Sequence, residues 1–342
     1  LYSWSAKAGS PPRKITETGD VLLGCTLVVE ELLCTRENAT SPRRLTLMNS
    51  RTGKMRDIYD PNPEFQSIQL GTVRRLRWKN DLGLEAWGDL VLPPDFRPGQ
   101  KLPMIVVQYH SDGFLRGGTG DEYPIHAFAA RGFAVLSLEK PAMVTSLDPM
   151  IDAAQWLRSM TKGWAERRSL LSSLETGVKA AIATGAIDSE RIGITGLSDG
   201  ASTARFALIN TDLFAAASIS SCCVDERALT YGGYALADQF EAIGYPPPGD
   251  DNAQFWQPYS LAYNASRLDR PLLMQLADDE YLIGVHTITQ LRQSGQPAEM
   301  FVFPNEHHIK WQPAHRKAIY ERNLDWFSFW LKGEIDPEPA KK

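Results

Sequence analysis

From about residue 100 onward the hydrophobic positions fall into short unbroken runs, separated by stretches whose apolar residues recur three or four apart. The runs are Met104 to Val107, Ala134 to Leu138, Ile192 to Thr195, Ala215 to Ile219, Leu272 to Leu276 and Met300 to Phe303. A strand covered on both faces has no polar side to show, so such runs predict strands of a mostly parallel sheet. Between them, Leu170, Leu174, Val178 and Ile182 step by four, and Ala318, Leu324, Phe327 and Leu331 give the last segment an apolar stripe. Both patterns predict helices that bury one face. Just upstream, Val73 to Trp78 and Leu84 to Leu92 read as antiparallel strands about Asp81-Leu82-Gly83, and Pro93-Pro94 stops the second.

The first sixty residues follow another pattern. Leu1-Tyr2-Ser3-Trp4, Gly9 and Arg13-Lys14-Ile15 recur as Leu45-Thr46-Leu47-Met48, Gly53 and Arg56-Asp57-Ile58, an offset of 43 to 44 residues. Four-stranded propeller blades repeat at about 40 to 45 residues. About one and a half blades cannot close a ring, and an unclosed sheet exposes edges. Residues 1–66 therefore read as the C-terminal part of a β-propeller whose other blades lie outside this chain; a free-standing β-domain is the alternative. The Asp60-Pro61-Asn62-Pro63 linker leads into residues 67–342, the α/β part.

Composition changes this picture little. The chain has 342 residues, 43% of them hydrophobic, and a formal net charge of -5. Without a basic patch there is no electrostatic footprint for nucleic acid. No run approaches the roughly 18 to 20 apolar residues of a membrane span. A soluble protein is expected, and nothing in the chain chooses between cytoplasm and periplasm. Cys25, Cys34, Cys222 and Cys223 have no metal-ligand spacing to a histidine and read first as buried small hydrophobes. A Cys25–Cys34 bridge is the other reading and would point to an oxidising compartment. Asn38-Ala39-Thr40 and Asn264-Ala265-Ser266 fit the glycosylation sequon, a short and weak pattern.

Candidate chemistry centres on Gly193-Ile194-Thr195-Gly196-Leu197-Ser198-Asp199-Gly200-Ala201, which writes strand, sharp turn and helix start. In a GxSxG elbow the glycines let the backbone pinch and push the serine hydroxyl above the sheet. Two antiparallel strands, then alternating β and α elements with a serine elbow after a middle strand, is the α/β-hydrolase order. A serine needs a base, and the base an acid behind it. Phe303-Pro304-Asn305-Glu306-His307-His308 leaves the last strand through a turn, making His308 the preferred base, with His307 beside it. His286 and His315 fall inside expected helices and read as packing or surface residues. The acid belongs in Ala277-Asp278-Asp279-Glu280-Tyr281, where Asp279 and Glu280 both remain open and at least one carboxylate serves an acidic turn capping the next helix. For the oxyanion, the Asp199 amide is one donor and Tyr109 the candidate for the other, unless it simply packs at a strand end. Arg116, Asp121 and Glu122 are candidate substrate contacts. Tyr245-Pro246-Pro247-Pro248 through Phe255-Trp256 to Tyr259 either lines the pocket or covers helices.

Residues 70 to 335 resemble the catalytic domain of the prolyl oligopeptidase family, serine peptidases with an α/β-hydrolase domain behind a β-propeller. Gly113-Phe114-Leu115-Arg116-Gly117-Gly118-Thr119-Gly120-Asp121-Glu122-Tyr123-Pro124 stands in place of the usual HGGP-type loop, and Ala277-Asp278-Asp279-Glu280-Tyr281 in place of the usual HGxxD loop. Both are similar to the bacterial lasso peptide isopeptidases. That resemblance implies a cofactor-free hydrolysis of the isopeptide bond of a threaded lasso peptide, with Ser198 as nucleophile, His308 as base and Glu280 as acid. The usual aspartate pattern leaves Asp279 as the alternative. The competing readings are a dipeptidyl or acylaminoacyl peptidase acting on linear peptides, an esterase, and an inactive binding module of the same fold.

Overall fold

The computed structural model describes residues 1–5, 9–147, 152, 155, 158–159, 161–221, 224–247 and 252–335. The chain divides into two compact units, Leu1–Val73 with Asp112–Leu115, and Arg74–Ser111 with Arg116–Lys342.

The first unit opens with a small antiparallel pair, β1 (Tyr2–Ser3) and β2 (Arg13–Lys14). A four-stranded antiparallel meander follows: β3 (Val21–Val28), β4 (Glu31–Asn38), β5 (Ser41–Asn49) and β6 (Met55–Tyr59). The sequence repeat is visible in the register. Ser3 faces Arg13 as Leu47 faces Arg56, and Tyr2 faces Lys14 as Thr46 faces Asp57. The meander is a blade of the propeller type. One expectation is corrected here: Cys25 and Cys34 are joined by a disulfide, with Cα atoms 4.2 Å apart. The register of β3 against β4 shifts between Leu23 and Thr26, and Cys25 sits in that shift facing Cys34. Cys222 and Cys223 lie outside the described residues.

The second unit is built on an eight-stranded sheet in the order β14-β13-β12-β11-β9-β10-β8-β7. Its strands are β7 (Thr72–Lys79), β8 (Glu85–Leu92), β9 (Leu102–Tyr109), β10 (Ala134–Glu139), β11 (Ile187–Leu197), β12 (Ala216–Ser220), β13 (Leu272–Ala277) and β14 (Ala298–Phe303). β8 runs antiparallel to β10, and the six strands from β10 to β14 run parallel. Among the described residues the helices include α1 (Ile125–Ala130), α2 (Ala165–Ile182), α3 (Asp199–Asn210), α4 (Ala228–Tyr231), α5 (Tyr234–Ala242), α6 (Ala253–Trp256), α7 (Tyr281–Gln293) and α8 (Pro313–Lys332).

Alternation along the strands sorts the helices onto two faces. Met104, Val106, Ile192, Ile194, Ala217, Ile219 and Met274 pack with Leu174 and Val178 of α2, Ala204 of α3 and Leu291 of α7 in one core. The opposite side of β11 meets α8, because a Cβ on Gly193 would lie 2.5 Å from Phe327. Phe327 in turn meets Phe128 of α1 edge-on at 5.8 Å. This is the α/β-hydrolase arrangement. Because the central strands are parallel, their carboxyl ends collect on one edge of the sheet, where loops bring side chains together.

Two further expectations resolve on packing grounds. Tyr245, Trp256 and Tyr259 are buried with Trp164, Phe206 and Leu229, and Trp164 stacks on Tyr259 at 4.3 Å. This aromatic segment therefore covers helices rather than lining a pocket; Pro248 lies outside the described residues. The Asn264 sequon fails because its side chain is buried and its Nδ2 donates to Gln257 O and Ser260 O, both at 2.7 Å. Among the described residues no helix is long and apolar enough to cross a membrane.

Candidate active site

Ser198 stands between β11 and α3 with φ 59° and ψ −117°, a conformation an L-residue holds only under constraint. The constraint is local. A Cβ on Gly196 would come within 2.2 Å of the Gly200 carbonyl carbon, so only glycine lets the chain fold back on itself there. The elbow is pinned from several sides. Ser198 N–H donates to Ser220 O at 3.2 Å, Tyr123 Oη donates to Gly196 O at 2.7 Å, and the buried Gln108 Nε2 donates to Thr195 O at 2.9 Å. Ser198 thus opens α3 with its hydroxyl at the carboxyl edge of the sheet.

Two loops from that edge meet in a matched pair of contacts. The loop after β13 carries Asp278-Asp279-Glu280, and the loop after β14 carries His307-His308. His308 Nδ1 lies 2.6 Å from Glu280 Oε1, while His307 Nδ1 lies 2.9 Å from Asp279 Oδ2. Burial separates the two pairs, since the His308 and Glu280 side chains are 47% and 21% exposed and those of His307 and Asp279 are 76% and 50% exposed. Asp278 ties the loops together by accepting from Asn305 N–H at 2.6 Å and Glu306 N–H at 3.3 Å. The expected capping role is absent: α7 starts at Tyr281 with no side-chain cap.

The charges follow from these contacts. The hydrogen bond to Glu280 raises the His308 imidazole above its ordinary value, although partial burial and the nearby Lys310 charge oppose the rise. Burial disfavours the charged form of Glu280, but His308, the Ser221 hydroxyl and Lys310 outweigh it and hold the carboxyl low. His308 makes no hydrogen bond to Ser198 Oγ in this structure. In ligand-free hydrolases this contact often tightens only in the substrate complex.

Tyr109 lies over the elbow, where a Cβ on Gly200 would meet its Cδ1 at 3.1 Å. Burial and the Asp199 charge raise its phenol, and the Ser198 hydroxyl pulls it down. Its own N–H is directed to Thr119 Oγ1 at 3.4 Å, which leaves the phenol as the group it offers the site. Asp199, the first helical residue, is held by an ion pair with Arg167 of α2, and Lys140 Nζ lies 3.6 Å from its other oxygen. Burial works against the Asp199 charge, but the two cations prevail and keep its carboxyl low.

The remaining candidates separate cleanly. Glu122 is 1% exposed and therefore no substrate contact; it faces the buried Lys310, Nζ to Oε1 3.1 Å. Arg116 and Asp121 stay partly exposed, 3.7 Å apart. His286 pairs with the buried Asp225, and His315 with the buried Glu306, which also accepts from Trp311 N–H and Gln312 N–H. Both are packing histidines. The sequence reading gave no role to Arg167, Gln108 and Lys310, which lie outside the motifs it used, or to Tyr123, which it quoted only as part of the Gly113 to Pro124 loop; their contacts with the elbow and its neighbours mark them.

A serine at a strained elbow, with a histidine–carboxylate pair on the two loops that follow, defines a serine hydrolase of the α/β class. Residues 154–334, more than half of the chain, match the model of the prolyl oligopeptidase family, and the chain belongs to that family. It is 45% identical over all its 342 residues to lasso peptide isopeptidase AtxE2 of Asticcacaulis excentricus, covering 49% of that protein. It is 26% identical over 245 residues to prolyl endopeptidase FAP of Mus musculus, which is 68% of this chain and 30% of FAP. The chain thus spans about half the length of the first relative and less of the second. Among solved structures, a serine-to-alanine variant of AtxE2 isopeptidase with Astexin3-dC4 bound superposes with a TM-score of 0.93 at 44% identity, covering 97% of this chain and 51% of that one. Pyrococcus horikoshii acylaminoacyl peptidase, at 22% identity and a TM-score of 0.73 over 99% of this chain and 53% of that one, shares the fold.

Proposed function

We propose that this chain is the catalytic portion of a lasso peptide isopeptidase, with residues 1–66 the end of a β-propeller that continues upstream. The observation that carries the reading is the His308–Glu280 pair at 2.6 Å, set on loops beside the Ser198 elbow in a chain 45% identical to AtxE2. His308 takes the Ser198 proton as Oγ attacks the side-chain carbonyl of the isopeptide bond. Glu280 fixes the imidazole tautomer and offsets the imidazolium charge. The Asp199 N–H and the Tyr109 phenol face the oxygen that becomes negative, where fixed donors act most strongly. Collapse of the intermediate breaks the C–N bond, and His308 gives its proton to the departing α-amine. A water then adds to the acyl-enzyme with His308 again as base, freeing Ser198 and leaving a linear peptide one water heavier.

The test incubates the full-length enzyme and its Ser198→Ala variant with a threaded lasso peptide and the linear counterpart, read by mass. The expected result is a gain of one water on the lasso alone, abolished in Ser198→Ala. Cleavage of linear peptides with the lasso untouched would assign the enzyme to the linear-peptide peptidases instead.

A further inference from the structure

We infer that the buried Glu122–Lys310 pair is a positioning device that holds the three catalytic segments in register. The inference rests on the reading of Ser198, His308 and Glu280 given above. Lys310 and Glu122 are 0% and 1% exposed, with Nζ 3.1 Å from Oε1. A buried ion pair is a poor way to gain stability, because apolar side chains of similar size often do as well or better. What distinguishes this one is what it touches.

Lys310 Nζ donates to Ser220 Oγ and, at 3.5 Å, to Ser221 Oγ. Ser220 Oγ donates onward to Gln275 O of β13 at 2.8 Å, and Ser220 O receives the N–H of Ser198. Ser221 Oγ donates to the His308 carbonyl at 3.1 Å. From Glu122, the carbonyl accepts from Asn323 Nδ2 at 3.0 Å, and the adjacent Tyr123 bonds the elbow at Gly196 O. One ammonium therefore links the strand end beside the nucleophile to the base loop, and its carboxylate partner belongs to the segment that braces the elbow. Lys310 is two residues beyond His308, so its anchoring fixes where that loop can lie.

The charge of Lys310 also reaches the dyad. The charged groups facing His308 are Glu280 from the acid loop, Lys310 from its own loop and Glu122 from the segment before α1. Lys310 lowers the imidazole and the Glu280 carboxyl, and Glu122 opposes it at the imidazole with the smaller effect.

The test compares full-length wild type with Glu122→Gln/Lys310→Met, which removes both charges so that neither is stranded. A fall in kcat of about 100-fold with KM little changed is expected, since a small misplacement of reacting groups costs that much. The acid limb of kcat/KM should move to higher pH, because the lost cation acts on His308 more strongly than the lost carboxylate and its removal lets the imidazole keep its proton longer. Wild-type kcat and pH profile in a folded double variant would overturn the inference and leave the pair a packing feature. If the double variant does not fold, Ser220→Ala decides, as it keeps the pair and cuts the ammonium's link to the strand end beside Ser198 without removing a group that bonds His308 or Glu280: reduced kcat with unchanged melting supports the device, and unchanged kcat overturns it. Ser198→Ala is run alongside. Activity surviving in it would sink the catalytic reading itself, whereas its loss together with a wild-type double variant would sink only the positioning role.

Discussion

At the scale of single residues, two neighbouring histidines face two neighbouring carboxylates, and distance alone does not choose between them. Environment does. The Glu280 carboxylate is largely shielded, in the reach of Ser221 and Lys310, while Asp279 and His307 meet in solvent, where an ion pair gains little. Glu280→Gln is therefore expected to lower kcat by about 10³- to 10⁴-fold, the order seen when a triad carboxylate becomes an amide. Asp279→Asn should cost less than about tenfold. The pH dependence gives an independent sign. His308 works as a base only when neutral, and its bond to Glu280 holds its pKa above the ordinary value of 6.5. Activity should fall as pH drops through that raised value, and in Glu280→Gln the acid limb of kcat/KM should move to lower pH as the bond weakens. A larger loss in Asp279→Asn, or an acid limb that ignores Glu280→Gln, would transfer the role to Asp279.

At the scale of elements, the sheet and its helices approach so closely that glycine becomes a packing residue. A Cβ on Gly177 in α2 would lie 2.6 Å from Trp78 Cζ2 of β7, and Trp78 cannot swing aside because its Nε1 donates to Ser173 Oγ on the same helix at 3.1 Å. Alanine in place of a helix-interior glycine ordinarily stabilises by about 1 kcal/mol. Here Gly177→Ala should instead destabilise by about 1–3 kcal/mol through overpacking, with Tm falling roughly 2–4 °C for each kcal/mol. A thermal melt showing a rise would mean the helix can back away. The same contrast explains what the chain reveals to a reader. Six strands of the large sheet are legible from short apolar runs and β7 and β8 from the turn between them, and Ser198 and His308 are legible because each sits in a turn written by its neighbours. Lys310 and Glu122 look like solvated charges in polar loops, and only the closing of those loops on each other buries them. Which carboxylate meets His308, and the bridge at Cys25, depend on rotamer and register, which spacing does not encode. The aromatic segment at Tyr245 to Tyr259 has the composition of a pocket wall, and its partners Trp164 and Phe206 come from helices far off in sequence.

At the scale of the whole molecule, the chain covers about half of AtxE2, and its four-stranded meander ends on an exposed strand. β3 is at the end of the four-stranded sheet, with Leu27 and Val28 63% and 45% exposed and Val29 just beyond it at 91%. An end strand with little buried on either face has little besides its ladder to hold it. The Cys25–Cys34 bridge supplies what is missing by stapling β3 to β4 across its register shift, at a sequence separation of nine. Closing so short a loop in the unfolded chain is worth about 2–3 kcal/mol in the chain-entropy model. The expected consequence is local. In Cys25→Ser/Cys34→Ser, or in wild type under dithiothreitol, amides of β3 and its ladder to β4 should exchange with deuterium about 10- to 100-fold faster, since each 1.4 kcal/mol of local stability is a factor of ten in the open population. Amides shared by β5 and β6 should change little, because their pairing does not pass through the bridge. Peptide-resolved exchange on the full-length protein reads both regions at once. Uniform acceleration across β3 to β6 would make the bridge a global brace of the meander, and no acceleration would show that the β3–β4 hydrogen bonds already hold the strand without it.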